Sequence, residues 1–163
     1  MLTISDMQPA DWPAVSDIYA EGLARGNATF DTEIPAWAAW NSSHLATPRL
    51  VARRGGAVVG WAALGPVSAR ACYRGVAEVS IYVAETAQGH GVGRILMDAL
   101  IDASEAAGIW TLHSSIHADN AASLALHLRS GFRVVGRRER IAERADGWSD
   151  TIIMERRSDV VGV

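Results

Sequence analysis

The chain has 163 residues, of which 49% are hydrophobic and 20% charged, and its formal net charge is -3. That balance predicts a single domain over residues 1–163 with a genuine core, no basic field to attract nucleic acid, and no apolar run long enough for a membrane span. All 15 basic residues are arginine, which excludes a Schiff-base lysine and a complete Walker A loop, and one cysteine, Cys72, excludes an internal disulfide or a cysteine-rich metal site.

The opening MLTISDMQPADW is neither basic nor continuously apolar, so no signal peptide and a cytoplasmic location are expected. Residues 2–5 read as a short strand. Trp12, Val15, Ile18, Tyr19 and Leu23 recur at helical spacing, with Asp11 placed to cap. Residues 24–35 form a loop, and AWAAWNSSHLA, between Pro35 and Pro48, a second helix. RLVARR and AVVGWAALGPV are strands joined at Gly55 and Gly56, a hairpin signal. EVSIYV, residues 78–83, is a strand; residues 93–108 are a helix with Ile95, Leu96, Ala99, Leu100 and Ala103 on one face. IWTLHSSI reads as a strand, so His113 and His117, four apart, do not share a helix face as metal ligands would. ADNAASLALHLRSGF is a short helix capped by Asp119 or Asn120 and stopped at Gly131. RVVGRRERIAE and WSDTIIMERR are two closing strands, and RRER, residues 137–140, reads as a solvated strand end. The order β-α-α-β-β-β-α-β-α-β-β predicts an α/β (α+β) fold, a mixed sheet with helices on both faces.

Between strand 78–83 and the long helix lies QGHGVGR, residues 88–94, with glycines at alternate positions. A helix start carries unpaired N–H groups and partial positive charge, and glycines let the backbone approach an anion closely. The run therefore suits a pyrophosphate. GHGVGR lacks the G-x-G-x-x-G spacing of dinucleotide sites, and the P-loop lysine is absent.

The pattern Q/R-x-x-G-x-G/A, which QGHGVG matches, is the coenzyme A pyrophosphate loop of the GNAT superfamily of N-acetyltransferases. Nearly the whole chain resembles the phosphinothricin and methionine sulfoximine acetyltransferase branch of that superfamily. The resemblance lies in NATFDTE (residues 27–33), WAALGP (61–66), YRGVAEVSIYV (73–83), ADNAASLALH (118–127), and Gly147, Trp148 and Asp150. It implies the GNAT fold with a mostly antiparallel sheet, acetyl-CoA as acyl donor, no metal, and a homodimer. The implied reaction is acetylation of a small amino acid or its analogue, by direct attack of the amine with both substrates bound.

Residue by residue, the resemblance gives the pyrophosphate to Gln88, Gly89, His90, Gly91, Val92, Gly93 and Arg94, and the pantetheine arm to Ile81, Tyr82, Val83 and Asn120. Glu78 is the expected base, because an amine must lose a proton before it attacks a thioester. His127 stands where many members carry a tyrosine that protonates the leaving thiolate. Arg74 is the expected anchor for a substrate carboxylate, with Phe30 and Trp148 as pocket walls. Each has a plainer alternative: an arginine-paired edge glutamate, a packed histidine ring, an N-cap at Asn120, ordinary packing for the aromatics. Val76 and Val79 replace the branch's usual threonine and histidine, making the pocket less polar. Acetylation of a protein N-terminus or another small amine stays open, as does a CoA-binding regulatory module, against which the presence of both Glu78 and Arg74 argues.

Overall fold

Alternating β-branched and apolar residues form seven strands in the computed structural model, which describes residues 1–163: β1 (Leu2–Asp6), β2 (Arg49–Arg54), β3 (Ala57–Pro66), β4 (Val76–Val83), β5 (Thr111–His117), β6 (Arg133–Arg144) and β7 (Gly147–Arg157). The helical periodicities become α1 (Trp12–Arg25), α2 (Trp37–Ser43), α3 (Val92–Ala106) and α4 (Ala121–Arg129). The β2–β3 hairpin turns on Gly55 and Gly56 at φ 58° and 86°, left-handed values that side chains resist. Asp11 precedes α1 without capping it; its carboxylate takes the Gln8 N–H and the Arg53 guanidinium instead. No helix is long and apolar enough to cross a membrane.

The strands make one sheet in the order β1-β2-β3-β4-β5-β7-β6, and every neighbouring pair is antiparallel except β4–β5, which α3 connects. Helices α1 and α2 cover one face. There Trp61 and Tyr82, opposed on β3 and β4, stack with ring centroids 4.9 Å apart and meet Tyr19 of α1 and Trp40 of α2. Leu96, Met97 and Leu100 bury α3 against the other face, where α4 also packs.

One departure from regular pairing positions the site. β4 and β5 are in parallel register only from Val76–Thr111 to Glu78–His113, although β4 continues to Val83 and β5 to His117. Beyond Glu78 the strands part. The Gly75 carbonyl accepts from Trp110 and Thr111, on the β5 side, and the Ala84 N–H bonds Val59 of β3. By the alternation of an extended chain, Val79, Ile81 and Val83 then turn their N–H and C=O groups into the gap.

Gly75 has no room for a side chain, since a Cβ there would fall within the Trp110 ring. Gly75→Ala is expected to destabilise the fold by about 1–3 kcal/mol, lowering Tm by roughly 2–12 °C. A thermal melt unchanged from wild type would show that Trp110 repacks freely.

Candidate active site

From β4 the chain makes a short 3-10 turn and enters α3 through the glycine run. Gly89 and Gly91 take φ of 74° and 78°, the left-handed region in which a Cβ crowds the next carbonyl. The N–H groups of Gly89, His90, Gly91, Val92, Gly93 and Arg94 meet no acceptor in the protein; the first helical amide to do so is Ile95, 3.1 Å from the Gly91 carbonyl. Six free donors at the start of a helix make an anion nest, and the helix dipole adds to it. Side chains hold its shape. The Gln88 amide donates to the Val83 carbonyl at 3.2 Å, and His90 Nδ1–H to the Gln88 carbonyl at 2.7 Å. Arg94 grips Asp98 and the Arg129 carbonyl, so its guanidinium ties α3 to α4 while its backbone N–H stays free. This donor set fits a pyrophosphate.

The gap between β4 and β5 opens into a cleft of about 510 Å³. Glu78, Ser80 and Tyr82 of β4 and His113, Ser115 and His117 of β5 line it, and Thr29, Phe30 and Asp31 of the loop after α1 close over it. Four contacts fasten this loop: Phe30 stacks on His117 at 4.1 Å, the Tyr19 hydroxyl donates to Asp31, the Asn120 amide donates to the Asn27 carbonyl at 3.1 Å, and the Tyr82 hydroxyl approaches the Ala28 carbonyl at 3.5 Å. Burial pushes the Tyr82 phenol up to about 12, which keeps it protonated.

Glu78 stands across from His113, with Oε2 3.7 Å from the ring Nε2, and no arginine pairs with it. Its side chain is 54% exposed, so a proton taken in the cleft has a way out to water. Asn120 caps α4 by accepting the Ser123 N–H at 3.1 Å, while the same side chain lines the cleft and holds the loop. Ile81 and Val83 turn backbone groups into the gap; Tyr82 faces its backbone to β3 and contributes its ring.

His127 also lines the cleft, but not as a ready proton donor. Its Nδ1 lies 2.7 Å from the Ser123 carbonyl, which only accepts, so Nδ1 carries the hydrogen; Nε2 then accepts from the Ser114 hydroxyl at 2.9 Å. Burial lowers its pKa below the ordinary histidine value, opposed only by the Ser123 carbonyl. Burial likewise lowers His44, and lowers His117 with help from the Arg144 charge. These rings stay neutral in the folded protein while unfolded histidines charge near 6.5, so unfolding takes up protons below that pH. Stability is expected to be full above about pH 6.5 and to fall as pH drops, levelling once the folded rings protonate. Tm measured from pH 8 to 5 checks this, with a shallower fall in His127→Gln.

Two expected residues are not brought to the cleft. Arg74 caps the 3-10 turn before β4, donates to the Ala71 carbonyl at 3.3 Å and lies over the Trp110 ring, in a separate hollow with Gly108 and Gly162. The reason is its place at the paired end of β4, on the far side of Glu78 from the gap. Trp148, 60% exposed, sits at the tip of the β6–β7 hairpin opposite Glu143 and walls no part of the cleft in the single chain. In their place the structure brings in Arg138, from the RRER run expected to be a solvated strand end, together with His113, Ser115 and His117. The signal for the β5 residues was present: HSSIH alternates, so its first, third and fifth residues share a face.

The model of the Acetyltransferase (GNAT) family matches residues 12–132. A phosphinothricin N-acetyltransferase of Alcaligenes faecalis is 34% identical over 161 residues, covering 94% of this chain and 81% of that protein. An L-methionine sulfoximine/L-methionine sulfone acetyltransferase of Pseudomonas aeruginosa is 30% identical, covering 94% and 92%. Among solved structures, a GNAT superfamily phosphinothricin acetyltransferase from Sinorhizobium meliloti in complex with acetyl-CoA superposes with a TM-score of 0.89 at 28% identity, covering 99% of this chain and 90% of that one.

Proposed function

This chain belongs to the Acetyltransferase (GNAT) family, and we propose that it acetylates the amino group of a small amino acid or analogue, of phosphinothricin or methionine sulfone type, by direct attack with both substrates bound. The observation that carries this reading is the succession along one stretch of chain of an ionisable base, an unpaired strand edge and a six-donor nest: Glu78, then Val79, Ile81 and Val83, then Gly89 through Arg94. Acetyl-CoA supplies the acyl group as an activated thioester. The nest would hold its pyrophosphate, and the open amides of Ile81 and Val83 and the open carbonyl of Ile81, with Asn120 beside them, its pantetheine arm. The Val83 N–H, or that of a near neighbour, would donate to the thioester carbonyl oxygen, favouring the charge that develops there. Glu78, directly or through water, would take the proton that the amine must lose. Phe30 would pack against the acceptor's apolar part. Cys72 is exposed and lies outside the cleft, which agrees with transfer that passes through no cysteine.

The same reading extends to a cytoplasmic homodimer. Edge strand β6 and its hairpin leave Val134, Val135, Ile141 and Trp148 exposed, an apolar strip suited to a second copy. An acetyl-CoA turnover screen over free amino acids, their sulfone and sulfoximine analogues, polyamines and peptides with free N-termini tests the substrate class. Preference for the amino acids supports it; preference for peptides or polyamines would replace it, and acetyl-CoA binding without turnover of any amine would point to a regulatory module.

A further inference from the structure

Asp150 fastens an irregular stretch of β6. One carboxylate oxygen accepts from Arg137 Nε at 2.8 Å and the other from the Arg140 N–H at 2.7 Å. Arg140 is thereby held at φ 46°, and here β6 slips register against β7, between Arg138 and Ala142. Bulges of this kind bend a strand and re-aim its side chains. Arg137 turns toward Asp150, and Arg138, next in the chain, turns to the opposite face and reaches the cleft.

Arg138 stands opposite Thr151 on β7, and Thr151 opposite His117 on β5. The three side chains form one row across the sheet, facing the same way, with neighbouring Cβ atoms about 5 Å apart. Two of them bury a polar atom that has no partner, Thr151 Oγ1 and His117 Nε2, in residues 1% and 4% exposed. Buried polar groups are nearly always paired, by protein, water or ligand, so these two, His117 in the cleft wall and Thr151 buried between it and Arg138, leave polar capacity for a bound group. Arg138 itself makes no ion pair, although Arg133 and Arg137 on the same strand each hold a carboxylate. It is the only arginine lining the cleft.

Resting on the acetyl-transfer reading, we propose that Arg138, with Thr151 and His117 beside it, binds the oxyanion of the acceptor substrate, a carboxylate or phosphinate group. The guanidinium offers two parallel N–H donors to such a group, Thr151 its hydroxyl, and His117 an Nε2–H in the matching tautomer. Asp31, the other carboxylate of the cleft besides Glu78, is engaged by the Tyr19 hydroxyl. His117 lies four residues along β5 from His113, the partner of Glu78, roughly 13 Å at the rise of a strand. The acceptor is thus gripped by its acid at one end of the cleft, away from the like charge of Glu78, and its amine is left toward the gap.

Arg138→Gln tests this, since it removes the charge from an exposed side chain that supports no other contact. kcat/KM is measured on matched acceptors: methionine sulfone against 3-(methylsulfonyl)propylamine for an α-carboxylate, and glutamate against glutamine for a side-chain acid. The variant should lose about ten- to a hundredfold on whichever member carries the bound oxyanion and less than about twofold on its neutral partner. Equal losses within both pairs, or the selective loss appearing in Arg74→Ala instead, overturn the assignment. If wild type acetylates none of these amines, the acetyl-transfer reading fails, and the site is read separately by calorimetric titration of methionine sulfone and glutamate into the CoA-bound protein. Binding weakened tenfold or more in Arg138→Gln upholds the anion site; equal binding, or none to wild type, overturns it. Thr151→Val adds an independent readout, for it removes an orphan hydroxyl and should leave Tm unchanged or higher while weakening the same acceptor. A lower Tm with unchanged acceptor binding would make that hydroxyl structural and remove it from the site.

Discussion

Glu78→Gln is expected to lower kcat for acetyl transfer at neutral pH by about 10²- to 10⁴-fold, the range for loss of a positioned general base. Gln keeps the size of the side chain and its hydrogen-bonding capacity toward His113, so the β4–β5 floor is preserved. What is lost is the ability to accept a proton from an alkylammonium. Activity should therefore recover in part as pH is raised toward the pKa of the free amine, because the acceptor then arrives neutral. Affinity for acetyl-CoA should not change, since the nest begins at Gly89 and does not involve Glu78. The measurement is the pH–rate profile of wild type and variant on one substrate. A variant whose profile runs parallel to wild type, at any height, rules out Glu78 as the base and leaves it a partner of His113.

The order and type of every strand and α-helix were legible in the sequence because each rests on local periodicity and turn chemistry: Gly55 with Gly56, Asn120 as a cap, the apolar stripe of α3. The nest was legible through local pattern too: alternate glycines at a strand-to-helix junction also serve tight turns and close packing, and it is their match to Q/R-x-x-G-x-G/A that marks this run. The acceptor end of the cleft was not. Arg74 looks near Glu78 in the chain, four residues away, but it belongs to the 3-10 turn before β4, and the gap opens in the other direction. Arg138 looks remote from both and is hidden in a run of charges, where nothing local marks it. What brings it in is non-local: the β6–β7 register sets it opposite Thr151, and Asp150, 10 residues beyond Arg140, shapes the bulge. His127 shows a different limit. Its residue type suggested a proton donor, yet the Ser123 carbonyl and the Ser114 hydroxyl fix the tautomer that presents a lone pair toward β5.

Gly91→Val should weaken acetyl-CoA binding by about ten- to a hundredfold, through two effects that a second variant separates. Gly91 sits at φ 78° as the residue before α3, and a left-handed conformation costs a residue with a Cβ roughly 1–2 kcal/mol, most of all when it is β-branched. A valine would pull the backbone toward negative φ and turn its neighbours' N–H groups out of the nest. The second effect is steric. A Cβ at Gly91 would meet no protein atom within 4 Å, so the protein itself tolerates the side chain, and on the acetyl-CoA reading it would stand in the open space beside the six free amides where a phosphate is expected. Asparagine accepts the left-handed conformation better than valine, so Gly91→Asn should retain the nest and show the steric loss alone, a smaller one. Calorimetry on both variants, with thermal melts confirming the fold, gives the two contributions directly. Wild-type affinity in a folded Gly91→Val would mean that the pyrophosphate is held elsewhere, and the assignment of the glycine run would fall with it.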